Sequence, residues 1–489
     1  MKRREFITGL GAGAASLGAL ARSARPAEPE RPNVLLILPD EWCGQALGCM
    51  GNHDVRTPNL DRLASEGILF ENTLANTPVC CPARANLLTG TYTSTNGMVA
   101  NDLRLAESRG ALGDLFGRAG YRTAYIGKWH LDGGPRLPGF IPPGARRHGF
   151  QTWAANECWH NYFYGWYFRN TNSPIITTKY EPEGWTDLAI EFLREQRNAA
   201  GPFFLMMAVG APHDPYIVPE EYLKMYNPAS LTMRPNWVEG VPRAGRKDIA
   251  AYYAAITAID DQIGRIAAVL RELGLEENTI VLFTSDHGNM LGSQRKILKR
   301  KPWEESIRVP GIFRYPKRIK PGSRSSVLLS HVDLAPTLLS LCDIRIPAGM
   351  QGSDLARVVR GEQASGPASA FFQIFGPYHA GGVRAGWRAI RTERYMYARW
   401  QSGPWLMYDL QADPYEMKNL VAPAAARSIR SELDSELQQW MKRIGDSWKL
   451  NWTAPVEDAG RLYNYRTFYT VAEYLQWANR HPNLANLPA

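Results

Sequence analysis

Cysteine is scarce in this chain: six among 489 residues, at Cys43, Cys49, Cys80, Cys81, Cys158 and Cys342. So few thiols exclude a disulfide scaffold at this length and leave room for one local bridge, Cys43 to Cys49. Internal repeats and low-complexity tracts are missing too, which excludes a repeat architecture. Basic residues do not line up in a stripe with interleaved aromatics, so nothing points to nucleic acid. Long hydrophobic runs are absent as well: the best candidate, 7–21, is short and glycine-rich for a membrane span.

What is there begins with that same segment. Met1-Lys2-Arg3-Arg4-Glu5-Phe6-Ile7 precedes a run of Gly, Ala and Leu that ends near Ala19-Leu20-Ala21. A basic end, an apolar middle and a small-residue cleavage site predict an export signal over 1–21, and the Arg3-Arg4 pair suggests the twin-arginine route. The mature protein is then periplasmic or secreted and starts near Arg22. The formal charge of +9 loses a net +2 with Lys2, Arg3, Arg4 and Glu5, leaving +7. That balance suits polyanionic substrates without specifying one.

Three apolar runs of strand length end in residues able to do chemistry. Val34-Leu35-Leu36-Ile37-Leu38 is stopped by Pro39 and followed by Asp40-Glu41; Thr279-Ile280-Val281-Leu282-Phe283-Thr284 ends in Ser285-Asp286-His287-Gly288; Phe203-Phe204-Leu205-Met206-Met207-Ala208-Val209 leads into Pro212-His213-Asp214-Pro215. Unbroken apolar runs predict buried parallel strands, and open α/β sheets bind ligands just beyond the carboxyl ends of such strands. Adjacent carboxylates repel unless a cation joins them. Asp40, Glu41 and Asp286 therefore form an oxygen set suited to a hard cation such as calcium, with His287 the borderline ligand. The plainer reading of the first pair is a helix cap by Asp40 with Glu41 in the first turn. A fourth run, Gly120 through Gly127, delivers Lys128-Trp129-His130, and strand alternation puts Lys128 and His130 on one face. Helical spacing through Tyr252, Ile256, Ile259, Ile263, Ile266 and Leu270 predicts a packing helix over 248–273, with no chemistry.

The chain is organised around Pro78-Val79-Cys80-Cys81-Pro82-Ala83-Arg84-Ala85-Asn86-Leu87-Leu88-Thr89-Gly90. A thiol at a helix start beside an arginine can act as an ordinary thiolate nucleophile. The pattern Cys-x-Pro-x-Arg followed by Leu-Leu-Thr-Gly, however, resembles the signature of the type I sulfatases of the alkaline phosphatase superfamily. The likeness continues in order through Thr57-Pro58-Asn59-Leu60-Asp61-Arg62-Leu63-Ala64, Gly127-Lys128-Trp129-His130, Asp286-His287-Gly288, His331-Val332-Asp333 and Asp413-Pro414-Tyr415-Glu416, covering about 32–445.

That resemblance implies an α/β fold, an alkaline-phosphatase-like sandwich with a large mixed β-sheet flanked by helices, plus a smaller C-terminal domain with a short antiparallel sheet and a helix. Glycines and prolines around 361–367 suggest the boundary, giving a catalytic domain over 32–366 and a C-terminal subdomain and tail over 367–489. It also implies hydrolysis of sulfate monoesters by a formylglycine (3-oxoalanine) made from Cys80 by a maturation enzyme, with Cys81 a small buried side chain. Twin-arginine export carries folded proteins, so the conversion belongs in the cytoplasm.

Carried over residue by residue, one calcium ion sits on Asp40, Glu41, Asp286 and His287, although Asp is commoner than Glu at position 41. Arg84 and Lys128 hold the hydrated aldehyde, Lys128 and Lys299 face the sulfate, His130 is the base for sulfate expulsion, and His213 with Lys299 is the acid for the leaving oxygen. Lys299 is chosen over its neighbours Lys296, Arg300 and Lys301 by counting back from Glu304-Glu305. Gln294 stands where many relatives carry histidine. The aromatic stretch 153–169 lies outside the shared core and reads equally as a sugar platform, with Trp159 and His160 joining Gln294 as substrate contacts, or as a packed hairpin lid. The implied substrate is a sulfated carbohydrate. The rival readings are a phosphonate monoester or phosphodiester hydrolase with a similar site, and a secreted glycan-binding protein with a dead one.

Overall fold

A computed structural model describes residues 31–101, 103–133, 139–375 and 386–448, with the backbone of two short paired strands, Tyr463–Asn464 and Arg466–Thr467. The expected export segment 1–21 and most of the tail after 451 lie outside the described residues.

The unbroken apolar runs do form the centre of a sheet. Asn33–Pro39 is buried from end to end and pairs in parallel with Phe203–Val209 on one side and Thr279–Thr284 on the other. The nine-stranded sheet runs Ser323–Ser330, Ile68–Leu74, Gly311–Arg314, Thr279–Thr284, Asn33–Pro39, Phe203–Val209, Arg122–Lys128, Thr152–Asn156, with Arg308–Val309 paired to Ile68–Leu74. Gly311–Arg314 is antiparallel to both its neighbours, which makes the sheet mixed.

Successive residues of Asn33–Pro39 feed opposite layers, as the two-residue period of a strand requires. Val34, Leu36 and Leu38 pack with Cys81, Ala85 and Leu88 of the helix Cys80–Thr89 and with Leu334 and Leu338 of His331–Leu341. Leu35 and Ile37 pack with Leu60 of Pro58–Ser65, Leu193 of Glu181–Gln196, and Ile256 and Ile259 of Arg246–Glu272. Burial on both faces makes each position costly to shorten: Leu36→Ala loses about 2–5 kcal/mol.

A second, four-stranded antiparallel sheet holds Ser369–Ile374, Trp387–Thr392, Tyr395–Trp400 and Gly403–Asp409. Its outer face buries Phe371, Ile390, Tyr397 and Met407 under Leu433, Leu437 and Met441 of Arg427–Ile444. Its inner face packs on Leu74, Val79, Met290, Trp303 and Ile307 of the large unit, so the two sheets share one apolar seam.

Some expectations need correction. The Cys43–Cys49 bridge is not formed: both are free thiols, and the Cys43 sulfur accepts from the Asn289 backbone N–H at 3.1 Å. Arg122–Lys128 ends at Lys128, and His130 has a left-handed backbone with φ of 57°, so strand alternation does not relate the two side chains. The aromatic stretch divides: Trp153 is core and stacks on Tyr125 at 5.4 Å, while Gly165–Tyr167 pairs with Ile175–Thr177 in a small hairpin beside exposed Phe163 and Tyr164. Among the described residues, no helix is long and apolar enough to cross a membrane.

Candidate active site

The register of the three central strands brings their carboxyl ends level, and the site is built on that edge. The Asp40 N–H donates to Val209 O at 3.0 Å, which ties the end of the first strand to its neighbour. Glu41 then takes a left-handed backbone, φ 67°, strained for a side chain of its kind. Three contacts hold it there: its N–H donates to Asp286 Oδ1 at 3.0 Å, the next N–H, of Trp42, to Ser285 Oγ at 2.9 Å, and its own carbonyl accepts from the Tyr252 hydroxyl at 3.0 Å.

Cys80 opens the helix Cys80–Thr89 with 2% of its surface exposed. Its sulfur lies 3.2 Å from His287 Nε2, 3.4 Å from Lys299 Nζ and 3.8 Å from Asp40 Oδ1. Arg84, one helical turn on and equally sealed, donates from Nε to Asp286 Oδ2 at 3.1 Å, from Nη2 to Asp40 Oδ2 at 3.4 Å and from Nη1 to Lys128 O at 3.0 Å. Lys128 Nζ donates to Asp40 Oδ2 at 2.5 Å. Lys299 Nζ reaches Glu41 Oε2 and His213 Nε2, each at 2.7 Å. His213 Nε2 also lies 3.0 Å from Glu41 Oε2, while its Nδ1–H donates to Asp214 O at 2.7 Å. The imidazole of His130 faces the thiols of Cys80 and Cys158.

These contacts set the charges. Burial opposes ionisation of the Cys80 thiol, but Lys299, Lys128 and His287 together hold it well below the ordinary thiol range. Burial likewise works against the His213 cation, and the Glu41 carboxylate outweighs it, pushing that imidazole up to about 10. Glu41, buried yet paired with His213 and Lys299, is drawn down to about 2. Asp286 moves the other way: burial and the neighbouring Asp40 carboxylate raise it, against the pull of His287 and Arg84.

An atom of Asp40, Cys80, Asp286 and His287 each lies within 4.8 Å of the others, and Asp40, Glu41 and His213 form a second such group. Two facing carboxylates, one of them raised by the other, fit a cation that relieves their repulsion. His287 Nδ1–H donates to Gly288 O at 3.0 Å, which turns Nε2 toward the cluster, the orientation of a metal-bound histidine. The donor set therefore suits a divalent metal. Of the four anticipated ligands, Asp40, Asp286 and His287 converge with Cys80, whereas Glu41 stands to one side between Lys299, His213 and Asn289.

Residues 32–344 match the family model described as Sulfatase, and 292–443 match that described as N-sulphoglucosamine sulphohydrolase, C-terminal. The chain belongs to the sulfatase family. An ulvan-active sulfatase of Formosa agariphila is 39% identical over 427 residues, spanning 86% of this chain and 83% of that one. An endo-4-O-sulfatase of Bacteroides thetaiotaomicron is 30% identical over 488 residues, spanning 86% and 94%. A solved structure in complex with its substrate D-glucosamine-2-N,6-O-disulfate superposes with a TM-score of 0.77 at 26% identity, covering 86% of this chain and all of that one. This sulfatase shares with solved sulfatases the alkaline-phosphatase-like fold, with its large mixed sheet and small C-terminal antiparallel sheet.

The sulfatase also uses residues that the sequence did not single out. Asn289 Nδ2 donates to Glu41 Oε1, and to the Tyr216 hydroxyl at 2.9 Å. Its position two residues beyond His287, in the loop that follows the buried strand Thr279–Thr284, was the available signal. Tyr252, assigned to packing alone, holds Glu41 and accepts from the Cys43 N–H at 2.9 Å. His160 stacks on His213 with ring centroids 4.2 Å apart and so touches the cluster; Trp159 leans on Trp166 at 5.2 Å and donates its indole N–H to Tyr164 O. Gln294 is not brought to the cluster: its amide donates to Tyr415 O at 3.1 Å and Glu416 O at 2.8 Å, joining the loop of Lys299 to the small domain.

Proposed function

We propose that this sulfatase removes sulfate from a sulfated oligosaccharide or polysaccharide, using an aldehyde made from Cys80 by a formylglycine-generating enzyme and one divalent cation, calcium. The observation that carries the reading is the seat of Cys80 Sγ, which stands in for the oxygen of the converted side chain: it sits among His287, Lys299 and Asp40, with Arg84 and Lys128 fixing Asp40 from behind. The carbohydrate class is supported by the sulfated sugars and glycans that name the relatives.

Asp40, Asp286 and His287 would hold the cation, with residue 80 beside it and Glu41 behind. The hydrated aldehyde supplies a hydroxyl nucleophile and the cation supplies positive charge to the sulfate oxygens. The chain's own groups do the rest. Lys128 and Lys299 add fixed positive charge where the ester is anionic, in a site closed to bulk water. His213, protonated and aimed past Glu41, gives a proton to the leaving oxygen, and His130, facing residue 80, takes one. With Cys80 so nearly sealed, the modifying enzyme must reach it before folding. Together with Arg3-Arg4, this favours conversion in the cytoplasm, followed by export of the folded enzyme to the periplasm or beyond.

The mass of tryptic peptide 63–84 from active enzyme tests the reading. An aldehyde at position 80, with turnover of a sulfate monoester well above that of a phosphodiester, is the expected result. A retained thiol in fully active enzyme overturns it.

A further inference from the structure

A cavity of about 250 Å³ opens beside His213. Asp214 and Tyr216 line it from the loop after Phe203–Val209, Arg243 from the turn before Arg246–Glu272 and Asp248 from that helix's first turn, and Ile297 and Leu298 from the loop that carries Lys299. Asn289, which also holds Glu41, closes it toward the catalytic cluster. Asp214 joins the cavity to the chemistry, since its carbonyl accepts from His213 Nδ1 and its Oδ1 lies 3.3 Å from the same nitrogen.

We propose that this cavity seats the sugar ring that carries the sulfate, and that it accepts a ring bearing no charge besides the sulfate being removed. The proposal rests on the sulfatase reading above and adds to it a location and a charge rule for the substrate.

Its size suits one ring: small-molecule sites usually run about 300–1,000 Å³, and this one falls just below. Its lining is amphipathic in the way a pyranose is. Tyr216, Ile297 and Leu298 offer an apolar wall for the C–H face, and Asp214, Arg243 and Asp248 offer acceptors and donors for hydroxyls. The charge rule follows from pairing. Arg243, 58% exposed, already spends its guanidinium on Asp214, while Asp248 accepts the Gly245 N–H at 2.9 Å and has no cationic partner among the described residues. Two carboxylates against one guanidinium leave the wall negative, so a second sulfate or a carboxylate on the same ring meets like charge. The cations of the site, Lys128 paired with Asp40 and Lys299 paired with Glu41, stand on the Cys80 side and not on this wall. His213 occupies the junction, where an ester oxygen leaving with the ring must receive its proton.

The test uses enzyme whose conversion at position 80 is verified by mass, with methyl hexoside monosulfates at each hydroxyl position and the matching disulfates. The best monosulfate is expected to exceed its disulfate about tenfold or more in kcat/KM. Ile297→Lys, which places a cation on the wall, narrows that preference about threefold, and Arg243→Ala weakens binding of the desulfated methyl hexoside, read by calorimetry, by a similar factor. Equal kcat/KM on the pair, or a preference unmoved by Ile297→Lys, overturns the charge rule while leaving the sulfatase reading standing. Failure to turn over any sulfate ester in the panel overturns the sulfatase reading itself.

Discussion

Arg84 and Asp286 are joined twice inside the protein, Nε to Oδ2 at 3.1 Å and Nη2 to Oδ2 at 3.0 Å, with neither side chain open to solvent. A planar guanidinium serves two carboxylates here, since Nη2 also reaches Asp40. Arg84→Ala strands both acids in the interior and is expected to cost about 3–5 kcal/mol, while Arg84→Lys keeps the charge, loses the fork, and lowers kcat about a hundredfold. Urea unfolding and steady-state kinetics check the pair; a lysine variant as active as wild type removes the need for the fork.

The proposed mechanism makes His213, held by Glu41 and Lys299, the proton donor to the leaving oxygen, so its worth depends on the leaving group. His213→Ala should slow alkyl sulfates about 10²–10⁴-fold and activated aryl sulfates far less. Equal losses on both classes take His213 out of the acid role.

Chelation addresses the cation. Because Asp40 and Asp286 repel without one, EDTA-treated enzyme is expected to melt lower and lose turnover, with both recovered on adding calcium. A melting temperature indifferent to EDTA and calcium means that the cluster binds no such ion.

His331, the first residue of His331–Leu341, donates Nε2–H to Ser285 O at 2.9 Å, and burial pushes its imidazole down to about 3. The native state then holds fewer protons than the unfolded chain between about pH 6.5 and 3, so the stability present at neutral pH drains as pH falls through 6.5. Relative to His331→Gln, the wild type should lose about 1 kcal/mol between pH 7.5 and 5.5. Chemical denaturation at the two values measures it, and an unchanged difference shows that the imidazole does not titrate differently on folding.

Tyr252→Phe removes only the hydroxyl that holds the Glu41 carbonyl and the Cys43 N–H. Leaving those buried groups unpaired costs about 1–3 kcal/mol, and kcat is expected to fall with KM little changed. A change in KM alone assigns the hydroxyl to substrate binding instead.

The central strands were readable because a strand buried on both faces has to be apolar at every position, and Val34 through Leu38 are. The motif around Cys80 was readable because it is local. What escaped depends on distant chain segments. Ser369–Ile374 looks unremarkable until Trp387–Thr392 pairs with it. Tyr252 sits at a helical spacing that serves packing and hydrogen bonding alike. His130 reaches the site through a left-handed residue that no alternation rule foresees. The aromatic run 153–169 admits two readings because it does two things, with Trp153 in the core and Tyr164 in solvent.

The loop of Lys299 is moored to the small domain as well as to the larger one, where Gln294 N–H and Arg300 N–H donate to the carbonyls of Asn236 and Pro78. Gln294 hangs on the carbonyls of Tyr415 and Glu416, Glu416 Oε2 accepts from the Glu304 N–H, and Arg391 grips Glu304. A chain ended at residue 366 would keep every catalytic side chain in its sequence and still lose the mooring of one of them. The C-terminal piece is thus no detachable appendage, and trimming this enzyme to its larger half would strip the loop of Lys299 of half its anchors.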